Sequence, residues 1–266
     1  MRLIVREDPT AASQYIADHI AHSINNFKST PSKPFFVLGL PTGGSPKIIY
    51  RLLVQLYKVG DLSFKNVTTF NMDEYMDIPK HHPESYHTFM HDHFFSHIDI
   101  DPANINMLRG EASDPAAECL EYEDKIRRAG GTDLFLGGVG PNGHLAFNEP
   151  GSSFASRTRV VTLAHETRVA NSRFFGGDAA CVPEAALTVG VQTVMEAREV
   201  VIIATGSNKA LALQRCVEGG VSHMCPVSSL QMHPNGMIVV DEAATVELRI
   251  STVRYFKDIE ADKCGP

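Results

Sequence analysis

The sequence lacks any apolar run of about 18 residues, the length that a membrane-spanning helix needs. Its N-terminal segment, MRLIVREDPT, carries four charged residues where a signal peptide would have an apolar core. The cysteines are odd in number and form no CxxC pair, which indicates free thiols and argues against a disulfide framework. They are Cys119, Cys181, Cys216, Cys225 and Cys264. We therefore expect a cytoplasmic protein.

A dense run of Lys or Arg is also missing, and the net charge is −7. A nucleic-acid-binding protein normally has a basic face or tail, and an anionic membrane also selects for basic surfaces. Both partners are therefore disfavoured, whereas a small anionic substrate needs only local positive charge. The chain is 43% hydrophobic and 21% charged, as in ordinary globular proteins. Since no linker divides its 266 residues, we predict a single domain covering 1–266.

Short apolar runs alternate with helical patterns along most of the chain, which predicts an α/β fold with a mostly parallel sheet. The predicted strands are 2–6, 34–40, 67–72, 133–140, 198–206 and 236–241. Helices are predicted to begin at Pro9 and Pro46, to cover 84–96 and 114–131, and to follow the turn at 205–209.

Residues 151–190 lack clear periodicity and are rich in Arg, Ser, Gly and Asn. This stretch is either a lid or ordinary surface structure. Ligands of parallel sheets bind at the carboxyl ends of the strands. That rule selects four loops, namely 41–45, 71–77, 138–149 and 205–209.

Two of these loops are candidates for anion binding. GLPTGGSP (39–46) has the glycine spacing of a P-loop, but Ser-Pro stands where the Lys-Ser/Thr pair should be. It still leads into a helix N-terminus, where free N–H groups attract anions, unless it is only a tight turn. In TGSNK (205–209), Ser207 is expected to cap a helix. Lys209 in its first turn is either solvated or paired with a bound anion.

The other two loops carry groups suited to proton transfer. In NMDEY (71–75) a strand runs into Asp73 and Glu74, so one carboxylate either serves as a buried general base or lies in a solvated turn. In PNGHLAFNEP (141–150), His144 has Glu149 nearby to orient its ring. The alternative is an ordinary surface histidine.

The sequence argues against three familiar kinds of site. Gly138, Gly140 and Gly143 spell GxGxxG, but Pro150 cuts short the helix that a dinucleotide site requires. HPE at 82–84 matches the HxE of zinc deaminases, yet no PCxxC is present. A serine hydrolase would need GxSxG, which is also absent.

Several long motifs follow one another in a fixed order. They are LGLPTGGSP, FNMDEY, HPESYHTFM, GHLAFNEPGSS, SRTR, ANSRFF and ALTVGVQT. Together they closely resemble the glucosamine-6-phosphate deaminase family, nearly from end to end. The resemblance implies reversible conversion of glucosamine 6-phosphate and water to fructose 6-phosphate and ammonia, without metal or organic cofactor. It also implies a Rossmann-like three-layer α/β sandwich and a homo-oligomer, since many members are hexamers.

The resemblance also assigns roles to residues. Asp73 would move a proton between C2 and C1, His144 would open the pyranose ring, and Glu149 would orient His144. The phosphate would be held by Gly43, Gly44, Ser45, Arg173 and Lys209. Arg173 lies in the 151–190 stretch, which favours the lid interpretation there.

This chain departs from the family pattern at two positions. Asn142 replaces the Asp that usually precedes Gly-His, so the site loses one carboxylate beside the histidine, although the amide oxygen can still accept a hydrogen bond. We expect slower ring opening with enolisation intact. In members activated by N-acetylglucosamine 6-phosphate, a Lys occupies the position of Val161, so we expect weak or absent activation. The remaining positions of that effector site are Ser152, Arg159, Thr162 and Tyr255.

Competing interpretations are a related sugar-phosphate isomerase or lactonase, and a non-catalytic sugar-phosphate sensor of the same fold. Such sensors carry an additional DNA-binding segment, whereas this chain starts at its first strand. The retained Asp73, His144 and Glu149 favour catalysis.

Overall fold

Ten strands build two sheets in the computed structural model, which describes residues 1–261. In chain order they are β1 Arg2–Arg6, β2 Phe36–Leu40, β3 Val67–Asn71, β4 Asp73–Tyr75, β5 Ile105–Asn106, β6 Leu134–Gly138, β7 Arg159–Thr162, β8 Ala185–Thr188, β9 Glu199–Ala204 and β10 Gly236–Asp241. Seven of them form a wholly parallel sheet in the order β1-β10-β9-β6-β2-β3-β5. The predicted parallel sheet is confirmed.

Eight α-helices accompany the strands within the described residues. They are α1 Pro9–Asn25, α2 Pro46–Val59, α3 Tyr86–His93, α4 Pro115–Arg128, α5 His165–Asn171, α6 Val191–Met195, α7 Ala210–Val217 and α8 Ile250–Ala261. Several start where the sequence chemistry dictates. The Asp8 and Asp114 carboxylates cap α1 and α4, each just before a proline at the first helical position. Gly60 ends α2 in the left-handed conformation.

Alternating side chains of the parallel strands supply two separate cores, one on each face of the sheet. On β1, Leu3 and Val5 point to one core and Ile4 points to the other. The first core also contains residues from α4, α6 and α7, with α8 packed against it, and the second contains residues from α1, α2 and α3. The fold is therefore the expected three-layer α/β sandwich.

The aperiodic stretch 151–190 contains more regular structure than its sequence indicates. It supplies β7, α5 and β8, and these two strands pair with β4 in a small antiparallel sheet of order β4-β8-β7. A third, smaller core lies against this sheet and consists of Tyr75, Ile78, Phe147, Leu163, Val182 and Ala186. Whether the stretch moves as a lid remains a prediction.

The order of the parallel strands reverses between β2 and β6. The chain proceeds from β2 to β3 and β5 on one side, and from β6 to β9 and β10 on the other. Such a reversal opens a crevice at the carboxyl ends of the two strands, and ligands of open α/β sheets bind there. The loops after β2 and β6 meet at this point, flanked by the loops after β3 and β9.

Four of the cysteines are free, with Cys119, Cys216 and Cys225 buried and Cys181 exposed. Cys264, which we also expected to be free, lies outside the described residues. Among residues 1–261, none of the helices has both the length and the apolar composition needed to cross a membrane.

Candidate active site

The four loops selected from the sequence line one cavity of about 960 Å³. Segments 41–45 and 138–142, together with His144, form its walls at the strand reversal, with Asp73 and Lys209 from the flanking loops. Residues of α5 and the turn after it close another side, including Thr167, Asn171 and Arg173. All the predicted catalytic and phosphate-binding positions except Glu149 border this space directly. Glu149 contacts three residues that do, namely Asn142, His144 and Thr167.

The loop after β2 exposes its backbone to the cavity. Gly43 has a φ of +106°, a conformation that favours glycine, and a Cβ at Gly43 or Gly44 would meet no atom within 4 Å. The Tyr50 hydroxyl donates a hydrogen bond to the Pro41 carbonyl and fixes the start of the loop. The Ser45 side chain makes no capping hydrogen bond to α2. Its hydroxyl and the free N–H groups of the helix N-terminus are therefore available to an anion.

Lys209 and Arg173 bring two positive charges to the same cavity. Burial, followed by the nearby charge of Arg173, lowers the pKa of Lys209 to about 8. The loop before Lys209 is held because the Gly206 N–H donates to both carboxylate oxygens of Asp241, at 2.9 and 3.1 Å. Ser207 does not cap the helix, contrary to the sequence expectation, because a 3-10 turn at 207–209 separates it from α7. Two cations in one cavity fit a dianionic ligand.

Asp73 stands between the two sheets, two positions after the end of β3 and at the start of β4. Its residue is only 7% exposed, so the solvated-turn alternative is wrong. Burial, and secondly the neighbouring Glu74 charge, raise the pKa of Asp73 to about 8. A carboxylate in this state is a stronger base than aspartate in water.

Glu74 faces away from the cavity and has a structural role. Its carboxylate accepts hydrogen bonds from the N–H groups of Tyr75, Tyr86 and His87 at 2.9, 3.0 and 3.1 Å. It therefore caps the N-terminus of α3 and ties that helix to β4. Burial raises the pKa of Glu74 to about 7, although the three N–H donors oppose this.

The GxGxxG glycines serve the histidine loop rather than a dinucleotide. A Cβ at Gly140 would collide with the His144 ring, so the imidazole packs directly on the Gly140 backbone. Gly143 has a φ of +89°, and its N–H donates to the Gly140 carbonyl at 2.9 Å. The loop thus turns tightly enough to direct His144 into the cavity.

Asn142 stands between His144 and Glu149. Its Oδ1 accepts a hydrogen bond from the His144 backbone N–H at 3.1 Å, which leaves Nδ2 to donate to Glu149 Oε2 at 2.7 Å. The amide oxygen does accept a hydrogen bond, as the sequence indicated, and its donor is the backbone of His144. The His144 Nδ1 lies 3.5 Å from Glu149 Oε2 and has no hydrogen-bond partner within the described residues, although it is buried.

Glu149 remains ionised in this environment. Burial raises its pKa, but the interaction with His144 and hydrogen bonds from Thr167 and Asn142 lower it more, to about 2. The carboxylate therefore keeps its charge next to the imidazole throughout the neutral range, as the predicted orienting role would require.

Two residues of the site were not recognised from the sequence. The Thr167 hydroxyl donates to Glu149 Oε1, and the Asn171 side-chain N–H group donates to the Tyr75 hydroxyl at 2.9 Å. Both lie on α5, four positions apart and hence on one face of the helix. That spacing of polar residues was the available signal, but α5 is only seven residues long and has too little periodicity to reveal it.

The positions of the expected effector site are only partly brought together. The Arg159 guanidinium donates to Ser152 Oγ at 3.3 Å and to Asn148 Oδ1 at 2.8 Å. Thr162 is exposed at the other end of β7. Tyr255 is exposed on α8, and no hydrogen bond links it to Ser152 or Arg159 in the described part of the chain. Val161 packs against the small core instead of offering a charge.

The geometry combines an anion pocket with two proton-transfer groups, and residues 1–261 offer no cluster of three or more side chains placed to hold a metal ion. The cationic cavity with its buried carboxylate and its histidine fits an α/β enzyme that acts on a small anionic substrate. The chain matches the family described as glucosamine-6-phosphate isomerases/6-phosphogluconolactonase over residues 7–239. It belongs to that family.

Curated relatives are similar over the whole chain. A glucosamine-6-phosphate deaminase of Aeromonas hydrophila is 57% identical over 265 residues, covering 100% of this chain and 99% of that protein. One from Bacteroides fragilis is 57% identical over 266 residues, covering 100% and 98%.

Two solved structures are similar to this chain, one in both sequence and fold and the other mainly in fold. A structure described as a monomeric glucosamine-6-phosphate deaminase superposes with a TM-score of 0.87 at 40% identity, covering 93% of this chain and 100% of that one. A 6-phosphogluconolactonase from Trypanosoma cruzi has a TM-score of 0.73 at 19% identity, covering 93% and 96%. The latter similarity concerns the fold alone.

Proposed function

We propose that this chain is a glucosamine-6-phosphate deaminase, which converts glucosamine 6-phosphate and water to fructose 6-phosphate and ammonia, reversibly and without a cofactor. The observation that carries the proposal is the single cavity that contains both a phosphate-type anion pocket and the pair Asp73 and His144. The full-length similarity to proteins of that name supports it.

In this proposal the phosphate anchors the substrate at one part of the cavity. The backbone at Gly43 and Gly44, the Ser45 hydroxyl, and the charges of Arg173 and Lys209 surround it. Binding energy from this remote group holds the reacting carbons in place. A bound dianion also favours the charged form of Lys209, whose pKa is lowered to about 8 without it.

His144 opens the pyranose ring. Its imidazole takes the proton from the O1 hydroxyl and returns a proton to the ring oxygen, so that the C1–O5 bond breaks and an aldehyde forms. This step needs one group that both accepts and donates a proton near neutral pH, which histidine does best. Glu149 stabilises the transient imidazolium from 3.5 Å. Asn142 supplies no second charge, and we expect this step to be slower than in an Asp-containing site.

Asp73 then removes the proton from C2 and delivers a proton to C1. Removal of the C2 proton gives an enolamine, and the delivery to C1 converts that enolamine into a C2 imine, to which water adds and from which ammonia departs. The burial that raises the pKa of Asp73 makes it a capable base for a carbon acid. Atoms balance as one water consumed and one ammonia released.

We expect allosteric regulation to be weaker than in activated members of the family. The effector positions lack a lysine at Val161, so activation by N-acetylglucosamine 6-phosphate should be weak or absent. A homo-oligomer remains a prediction that light scattering can test, and the cytoplasmic location likewise remains a prediction.

Purified protein should be assayed with glucosamine 6-phosphate for fructose 6-phosphate and ammonia, released in equal amounts. The related lactonase alternative is tested in parallel with 6-phosphogluconolactone, and the isomerase alternative with pentose phosphates. Binding of glucosamine 6-phosphate without ammonia release would favour the sensor interpretation instead. Turnover of a lactone or a pentose phosphate alone would replace the proposal with that activity.

A further inference from the structure

We infer that Thr167 is a positioning residue for the Glu149 carboxylate. The short segment that supplies Arg173 would then also orient Glu149 relative to His144. The inference rests on the proposed function and deepens it. The segment consists of α5 and the 3-10 turn Ser172–Phe174 that follows directly.

Glu149 is fixed by two donors that come from different parts of the fold. Thr167 Oγ1 donates to Oε1 from α5, and Asn142 Nδ2 donates to Oε2 at 2.7 Å from the loop after β6. Rotation of a carboxylate about its last bond is otherwise broad. One donor on each oxygen therefore sets the plane of the group, which in turn sets where Oε2 lies relative to His144 Nδ1.

Thr167 is itself held rigidly. Its residue is 6% exposed, and a β-branched side chain has few rotamers in a helix. One turn further along α5, the Asn171 amide donates to the Tyr75 hydroxyl at 2.9 Å. Tyr75 is buried in β4, two residues after Asp73. The helix is thus anchored beside both proton-transfer groups.

A second threonine provides a matched comparison. Thr193 Oγ1 donates to the Glu123 carboxylate at 2.5 Å, between α6 and α4. Neither residue lines the cavity. Losing the Thr193 hydroxyl removes a hydrogen bond of the same kind. The Thr193 variant therefore measures what the loss of such a bond does to stability when no cavity residue is involved.

The test compares Thr167→Val, Thr167→Ser and Thr193→Val. A hydrogen bond to a charged group predicts that Thr167→Val lowers kcat about 10- to 100-fold, while KM for glucosamine 6-phosphate stays within about two-fold. Thr167→Ser restores most of the rate. Thr193→Val lowers the melting temperature and leaves kcat unchanged. In a carbon-13 NMR titration, the Glu149 carboxyl of Thr167→Val begins to protonate at a higher pH, because a donor to its charged form is gone.

Wild-type kcat in Thr167→Val, or a change in KM with kcat unaltered, overturns the inference. So does a loss that serine fails to restore, or an unchanged Glu149 titration. If wild-type protein releases no ammonia, the proposed function fails, and the Glu149 titration still decides the role of Thr167. Thr167→Ala replaces the valine variant if that one does not fold.

Discussion

Asn142 donates a 2.7 Å hydrogen bond to Glu149, whereas an aspartate in the same place would bring two carboxylate oxygens together. The amide cannot simply turn around, because its oxygen accepts from the His144 backbone N–H. The substitution thus replaces a repulsive contact with an attractive one. It also leaves His144 Nδ1 without a hydrogen-bond partner among the described residues.

Asn142→Asp should therefore speed ring opening. The new carboxylate repels Glu149, and the pair relaxes most easily by placing His144 Nδ1–H between them. A hydrogen bond to a charged group is worth about 10-fold or more in rate. We expect kcat to rise by this factor and the pH profile to shift, measured with the ammonia assay. Unchanged turnover and an unchanged profile would show that the missing carboxylate does not limit the enzyme.

A control for that variant is Asn26→Asp, which adds the same charge at the exposed end of α1. Its kinetics should match those of the wild type. Because Asn142 precedes Gly143, it is prone to deamidation, and mass spectrometry of the wild-type sample should be recorded first.

The pH dependence of kcat/KM should be bell-shaped with a maximum near 8. Burial raises the pKa of Asp73 to about 8, so activity rises with pH as this base ionises. The pKa of Lys209 is lowered to about 8 by burial and by Arg173, so phosphate binding weakens above that pH. The arginine of Lys209→Arg stays charged at alkaline pH, so this variant should shift only the alkaline limb of the profile, to higher pH. An alkaline limb at the same pH in both proteins would mean that another group causes it.

Removal of the Lys209 charge should weaken substrate binding more than it slows chemistry. Charge-assisted hydrogen bonds to phosphate predict that Lys209→Met raises KM about 10- to 100-fold. Added salt should raise the KM of the wild type but affect the variant less. A variant with normal KM and reduced kcat would exclude Lys209 from the phosphate site.

Asp73→Asn should increase stability while it abolishes turnover. Because the folded-state pKa of Asp73 is about 8, against 3.8 for the free side chain, its ionisation costs stability progressively between those pH values. The asparagine variant is free of this cost. Its melting temperature should exceed that of the wild type by roughly 2 °C or more at pH 8, with little difference at pH 4. Asp61→Asn, at an exposed site, should change the melting temperature by the same amount at pH 8 and at pH 4.

N-acetylglucosamine 6-phosphate should not activate the enzyme appreciably. The rate should depend hyperbolically on glucosamine 6-phosphate, and the effector should leave that curve unaltered. A sigmoidal curve that becomes hyperbolic with effector would contradict the expectation drawn from Val161.

The sequence predicted the regular parts of the molecule because their periodicity is strong. All six predicted strands of the parallel sheet were found, and the loops after four of them converge as the carboxyl-end rule requires. The strands missed are short or exposed, such as β5 with two residues and β7 with alternate exposed side chains. Their formation depends on neighbours distant in the chain.

The site was harder to predict where side chains compete for partners. Sequence position placed Asn142 near His144, but only the folded loop shows that the backbone occupies the amide oxygen. The contacts of Thr167 and Asn171 cross 18 and 96 residues, and no local pattern encodes such distances. Glu74 looked equivalent to Asp73 in sequence, yet the strand directs it to the end of α3.

The most direct test measures fructose 6-phosphate and ammonia together, from glucosamine 6-phosphate, with wild-type protein and with Asp73→Asn. We predict equal amounts of the two products from the wild type and neither above background from the variant. Absence of ammonia from the folded wild type, or undiminished release by Asp73→Asn, would contradict the proposed function or the assigned base, respectively.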